Sequence, residues 1–182
     1  MTVTETKLKG CFILEPKLFN DDRGYFFESF NEDVFNKATG ANTHFVQDNQ
    51  SYSAKGVIRG IHYQTGNAAQ AKLVRVIKGA VLDVAVDLRQ QSATFGQFVA
   101  IELSAENKKQ LFIPRGFGHG FAVISDVAEF FYKCDNYYNK EAEAGILYND
   151  TNLNIDWKIS VDNSIVSQKD KELPKFKDAH YF

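Results

Sequence analysis

Cysteine, proline and net charge are all in short supply in this chain, and each shortage narrows what it can be. Cys11 and Cys134 are the two cysteines. Two thiols outside any Cys-x-x-Cys spacing cannot build the disulfide framework of a small secreted scaffold, so they read as reduced thiols of a cytosolic protein. Prolines are limited to Pro16, Pro114 and Pro174, and no low-complexity run separates them. Nothing marks a linker, and residues 1–182 read as a single domain. The formal charge of −2 lacks the basic excess of a nucleic-acid binder. No apolar run approaches the roughly 18 residues of a membrane span. Residues 1–10 have no apolar stretch of the kind that exports a protein. The expectation is a cytoplasmic protein with neither nucleic acid nor membrane among its partners.

What the chain does have is aromatic residues, sixteen Phe and eight Tyr, which favour strands over helices. The hydrophobic and charged fractions, 44% and 24%, are those of a folded globular chain rather than a disordered one. The middle of the sequence alternates with period two. Leu82, Val84, Val86 and Leu88 fall on one face of a strand and Asp83 and Asp87 on the other, a half-buried pattern. Val99, Ile101 and Leu103 repeat it, and 72–77 alternates as well, with Gly79 as a turn between runs. Further strands are predicted at 110–113, 120–124 and 129–134. Helical signals are short: Asn31 is a candidate N-cap with Gly40 closing the helix, and 104–107 reads as one capped turn. Many short strands joined by turns predict an all-β sandwich or barrel.

Two histidines sit in glycine-flanked settings, His62 in Arg59-Gly60-Ile61-His62-Tyr63-Gln64 and His119 in Pro114-Arg115-Gly116-Phe117-Gly118-His119-Gly120. Glycines there let a backbone approach a ligand closely. The second segment resembles the Pro-x-Gly-x-x-His motif of the cupins, which are jelly-roll barrels. Metal-binding cupins carry His-x-His and then a glutamate in their first motif. Here the second histidine is replaced by Gln64, and the glutamate position, six residues short of Gly79, is Lys72. A cation at a ligand position repels a metal ion, so no metal and no cofactor is expected. A histidine, a lysine and a tyrosine in a barrel suit proton transfer beside a ketone. That reaction needs a base near neutrality, a cation for the enolate oxygen and an acid to return the proton.

More of the chain carries a second resemblance. The runs Asp22-Arg23-Gly24-Tyr25-Phe26-Phe27-Glu28, Phe45-Val46-Gln47-Asp48-Asn49, Gln70-Ala71-Lys72-Leu73-Val74-Arg75, Asp83-Val84-Ala85-Val86-Asp87, Tyr132-Lys133-Cys134 and Ser167-Gln168-Lys169-Asp170 join the two histidine motifs in one order. Together they resemble the dTDP-4-dehydrorhamnose 3,5-epimerases, cupin-fold enzymes acting on a dTDP-linked 4-keto-6-deoxy sugar. The resemblance implies an all-β jelly-roll (cupin-like) barrel with a few short helices, and an isomerase. It implies His62 as the base, Asp170 as its partner and Tyr132 as the acid, with Lys72 at the C4 ketone and His119 alongside. Arg23 and Arg59 would bind the diphosphate. Gln47, Asn49, Glu28, Glu143 and Lys169 would contact nucleotide or sugar, and Tyr138 would stack on the thymine with Phe26 beside it. It also implies a homodimer in which Arg23, Phe26 and Glu28 reach into the neighbouring subunit's site. A relative that inverts one carbon only would share fold, base and substrate class.

Overall fold

The computed structural model describes residues 1–182, the side chain of Val161 apart. Two antiparallel sheets face each other. The six-stranded sheet runs β1 (Thr2–Glu5), β2 (Phe12–Glu15), β10 (Gln110–Ile113), β7 (Lys72–Lys78), β12 (Val127–Cys134) and β5 (Gln47–Ala54). The five-stranded sheet runs β13 (Glu143–Gly145), β6 (Ile58–Gln64), β11 (Phe117–Val123), β8 (Ala80–Asp87) and β9 (Phe98–Ser104). A separate hairpin, β3 (Phe19–Asp21) with β4 (Gly24–Phe26), stands outside both. Neighbours in each sheet are mostly distant in sequence, which is the expected jelly roll. The six strands predicted from alternation are present, with β11 starting three residues earlier than expected.

Helices are few. α1 (Glu32–Thr39) starts at Asn31, whose side chain accepts the Val34 N–H, and ends at Gly40 in the left-handed region with φ 68°, as the sequence predicts. The 104–107 segment is a turn closed by reciprocal bonds, Asn107 N–H to Ser104 Oγ and Ser104 N–H to Asn107 Oδ1. α2 (Gln168–Lys171) is a single capped turn.

Three apolar clusters hold this arrangement. Between the sheets lie Val74, Leu111, Phe130, Val81, Leu103 and Phe121. Outside the six-stranded sheet, Phe35 of α1 packs on Leu14, Leu73 and Phe112. Outside the five-stranded sheet, Ile146, Tyr148, Leu153 and Trp157 cover Ile58, Ile61, Val84, Val86 and Leu88. Each large side chain so buried contributes about 1.5–3 kcal/mol of transfer free energy.

That third cluster corrects one expectation. β8 is not half-buried: the segment after residue 145 covers its outer face, while its other face forms the interior of the sandwich. Asp83 and Asp87, expected on a solvent face, are both fully buried. Asp87 is satisfied by Arg89, Ser92 and Thr94. The glycines beside the histidines have a structural task as well. A Cβ on Gly60 would lie 2.5 Å from Gly120 Cα, so Gly60 and Gly120 let two strands approach each other, and Gly120 also lines a cavity beside His62 and His119.

Candidate active site

His62 and His119 are register partners across the β6–β11 ladder, and each ends on an aspartate. His62 Nε2 lies 2.8 Å from Asp170 Oδ1, and His119 Nε2 lies 3.0 Å from Asp83 Oδ2. An ionised carboxylate only accepts, so Nε2 carries the hydrogen in both pairs and Nδ1 is the remaining nitrogen. Asp170 arrives on α2, where Ser167 Oγ accepts the Asp170 N–H. Its other oxygen accepts the Gly60 N–H at 3.2 Å. Burial works to raise the Asp170 pKa, but the bonds from His62, Gly60 and Ser167 outweigh it and hold the carboxyl below its ordinary value. The charged 169–172 run reads as solvated, yet Asp170 is 4% exposed.

The second pair is deeper. Asp83 lies opposite Phe121, two positions along β11 from His119. Its Oδ1 is buried and makes no hydrogen bond among the described residues. Burial lowers the His119 pKa; Asp83 opposes this, and the charges of Lys72 and His62 add to it. Lys72, from the facing sheet, is likewise lowered by burial, with the charges of Cys134, Asp83 and Glu143 pulling the other way. Its ammonium lies 5.9 Å from the centre of the Tyr132 ring.

Tyr132 sits on β12, in register with Asn49 of β5. Burial raises its pKa, with Cys134 adding to the shift and Arg59 opposing it. The phenol is therefore kept protonated. Two adjoining cavities of about 290 and 280 Å³ share Asn49, His62, Lys72 and Tyr132 in their walls. The first is also bounded by Gln47, Tyr138 and Glu143, and the second by Arg59 and His119. At the mouth, Glu143 accepts from the Tyr138 hydroxyl at 3.0 Å and pairs with Lys169 Nζ at 2.6 Å. The Lys169 bond chiefly holds the Glu143 carboxyl below its usual value. Arg59 lends Nε to Ser53 Oγ at 3.2 Å, and its remaining guanidinium donors suit phosphate oxygens.

The structure thus brings together eleven of the expected residues and leaves three outside. Arg23 is bound to Asp21 and almost fully exposed, Phe26 is 69% exposed, and Glu28 accepts from Asn31. These three lie on or just after the β3–β4 hairpin, away from this chain's own cleft. Asp83 escaped the sequence reading. An aspartate among the inward positions of an alternating strand looks solvated unless both faces are known to be covered. Gln64 and Cys134 also line the cleft. Of these, only the His-Tyr-Gln run drew attention to Gln64.

Known proteins share this arrangement. A family model described as dTDP-4-dehydrorhamnose 3,5-epimerase matches residues 5–178. The chain belongs to the dTDP-4-dehydrorhamnose 3,5-epimerase family. It is 54% identical over 182 residues to the enzyme of that description in Shigella flexneri, covering 100% of this chain and 99% of the relative. The crystal structure of the epimerase from Elizabethkingia anophelis NUHP1 superposes with a TM-score of 0.95 at 56% identity, covering 98% of this chain and 97% of that one. The epimerase of Legionella pneumophila Philadelphia 1, solved in complex with dTDP-4-keto-L-rhamnose, gives 0.93 at 46% identity over 97% and 93%. Among the described residues of this epimerase, no helix is long and apolar enough to cross a membrane.

Proposed function

We propose that this chain converts dTDP-4-dehydro-6-deoxy-D-glucose to dTDP-4-dehydro-L-rhamnose by inverting C3 and C5 through enolates. The observation that carries the mechanism is that base and acid come from opposite sheets across one cleft. His62, on the five-stranded sheet, takes the proton beside the ketone on Nδ1, and Asp170 holds its ring and balances the imidazolium. Lys72 donates to the developing enolate oxygen; the burial that weakens its hold on a proton makes it the better donor. Tyr132, protonated on the facing sheet, returns a proton to the opposite face of the sugar, and that change of face is the inversion; solvent then takes the proton from His62 and restores the one on Tyr132 before the second carbon reacts. Neutral His119, with Nδ1 free as an acceptor, serves a substrate hydroxyl. Arg59 takes a phosphate, Gln47 and Asn49 line the nucleotide end, and Tyr138 stacks on the base, with Glu143 and Lys169 closing the mouth.

Residues 1–182 work as one unit, because a carboxylate from α2 arms a histidine of β6. The partner is a second copy of the chain. The isolated hairpin supports this, with Phe19, Tyr25 and Phe26 all more than half exposed and Arg23 beside them. In the dimer, Arg23, Phe26 and Glu28 complete the neighbour's site. Mixing inactive Arg23→Ala and His62→Ala proteins then restores activity through hybrid dimers; a mixture that stays inactive counts against a shared site. The cytoplasm is the proposed location, supported by two free, buried thiols.

Proton NMR of the substrate incubated with enzyme in D₂O tests the reaction. Deuterium at both C3 and C5 is expected. Deuterium at one carbon marks a mono-epimerase, and none at either sinks the enolate mechanism.

A further inference from the structure

Tyr138 lies between β12 and the 3-10 turn Lys140–Ala142, outside any ladder, yet the peptide groups on both sides of its Cα end on one side chain. The Asn139 N–H donates to Gln64 Oε1 at 2.6 Å, and Gln64 Nε2 donates to the Tyr137 carbonyl at 3.5 Å. The first belongs to the peptide unit after Tyr138 and the second to the unit before it, whose own N–H also donates to Gln47 Oε1 at 3.1 Å. Because each unit is planar, holding both restrains φ and ψ of Tyr138 together. The shorter bond is the stronger restraint. Gln64 Nε2 also reaches the Ala68 carbonyl at 3.3 Å, and the residue is 4% exposed. Gln64 is the register partner of Glu143 in the β6–β13 ladder. Glu143 holds the Tyr138 hydroxyl, so neighbouring positions of one ladder fix the backbone and the ring of the same tyrosine.

We propose that Gln64 is a positioning residue for the nucleotide. Its amide holds 137–139 so that the Tyr138 ring meets the base of a nucleoside diphosphate already ordered. This rests on the reading of Tyr138 as the stacking group. An amide is suited to the task because it accepts from one peptide and donates to another. A carboxylate would face two carbonyl oxygens with a negative charge, and an aliphatic chain would hold neither. Ordering the loop before binding removes part of the entropy that binding otherwise costs. The effect belongs to affinity, since Gln64 holds a loop and not a reacting group. The amide standing where metal-binding cupins have their second histidine is thus an anchor for a loop.

Calorimetric titration with dTDP tests this on the full-length protein as wild type, Gln64→Leu, Tyr138→Ala and the double variant, with steady-state kinetics and a thermal melt of each. Gln64→Leu is expected to weaken dTDP about ten-fold, the effect of roughly one lost hydrogen bond. KM rises in step and kcat stays within about two-fold. The double variant binds no more weakly than Tyr138→Ala alone, because Gln64 acts through that ring. Additive losses overturn the proposal, as does wild-type affinity in Gln64→Leu beside a weakened Tyr138→Ala; the stacking reading survives both. Unchanged affinity in Tyr138→Ala overturns that reading and the proposal with it. Should Gln64→Leu fail to fold, Gln64→Glu enters the same cycle, keeping the size and the acceptor while losing both donated bonds.

Discussion

The two histidine–aspartate pairs are assembled from the same parts and set at different depths. The His62 side chain is 33% exposed and the His119 side chain 8%. Both oxygens of Asp170 are engaged, one by an imidazole and one by a backbone N–H, whereas Asp83 keeps a buried oxygen with no bonded partner among the described residues. Depth separates their chemistry. The outer imidazole opens on both cavities of the cleft and is the one that the proposed mechanism sets against the substrate. Burial lowers the pKa of the inner one, and its aspartate works against the lowering of the Lys72 pKa. A His–Asp pair is therefore not a catalytic sign by itself; the accessible ring nitrogen makes it one.

Removing each member of these pairs separates their roles, and the largest effect is expected at the outer base. His62→Ala should lower kcat by about 10³–10⁴, at the upper end for a general base, with exchange into solvent lost at both carbons by NMR. Tyr132→Phe removes the facing acid and should cost about 10²–10³ in kcat. Exchange without inversion should persist there, because the base is intact. Asp170→Asn should cost about 10², since an amide N–H aimed at Nε2 moves the ring hydrogen to Nδ1, the wrong tautomer for a base. The inner pair should respond differently. Asp83→Asn is expected to cost about ten-fold at neutral pH, within the range for an indirect electrostatic contact. Its signature is in the pH profile: Asp83 props up the Lys72 pKa, so its removal should move the alkaline limb of kcat/KM to lower pH. A limb that stays in place would separate Asp83 from Lys72.

Asp87, on the same strand as Asp83, supplies the control. Burial acts to raise its pKa, but the bonds from Arg89, Ser92 and Thr94 hold it at about 2, against an ordinary value of 3.8. A group depressed in the folded state adds stability above its unfolded pKa and loses it as pH falls through the folded one. Asp87→Asn should therefore lower Tm more at pH 7 than at pH 2, with little change in the pH–rate profile.

Much of the jelly roll was legible because alternation survives on strands such as β9 and β12. The short strands β1, β3, β4 and β13 carry too few residues for a period to show. β8 misled for a physical reason: its second face is covered by a segment more than fifty residues downstream, which no local pattern encodes. That His62, His119 and Lys72 share one cavity was foreshadowed by their motifs. Pairing Asp170 with His62 rested on resemblance alone, because a charged four-residue turn looks solvated. Asp83 was invisible as a partner, since the diagonal contact with His119 exists only once β8 and β11 are in register.

The sequence separation of 108 between His62 and Asp170 also bears on the order of events during synthesis. A nascent chain folds from its amino end, so both sheets can be assembled with Lys72, Tyr132 and His119 in place while the base still lacks its carboxylate. Catalytic competence is then acquired late, because a chain halted before α2 would carry His62 without its carboxylate and Glu143 without Lys169.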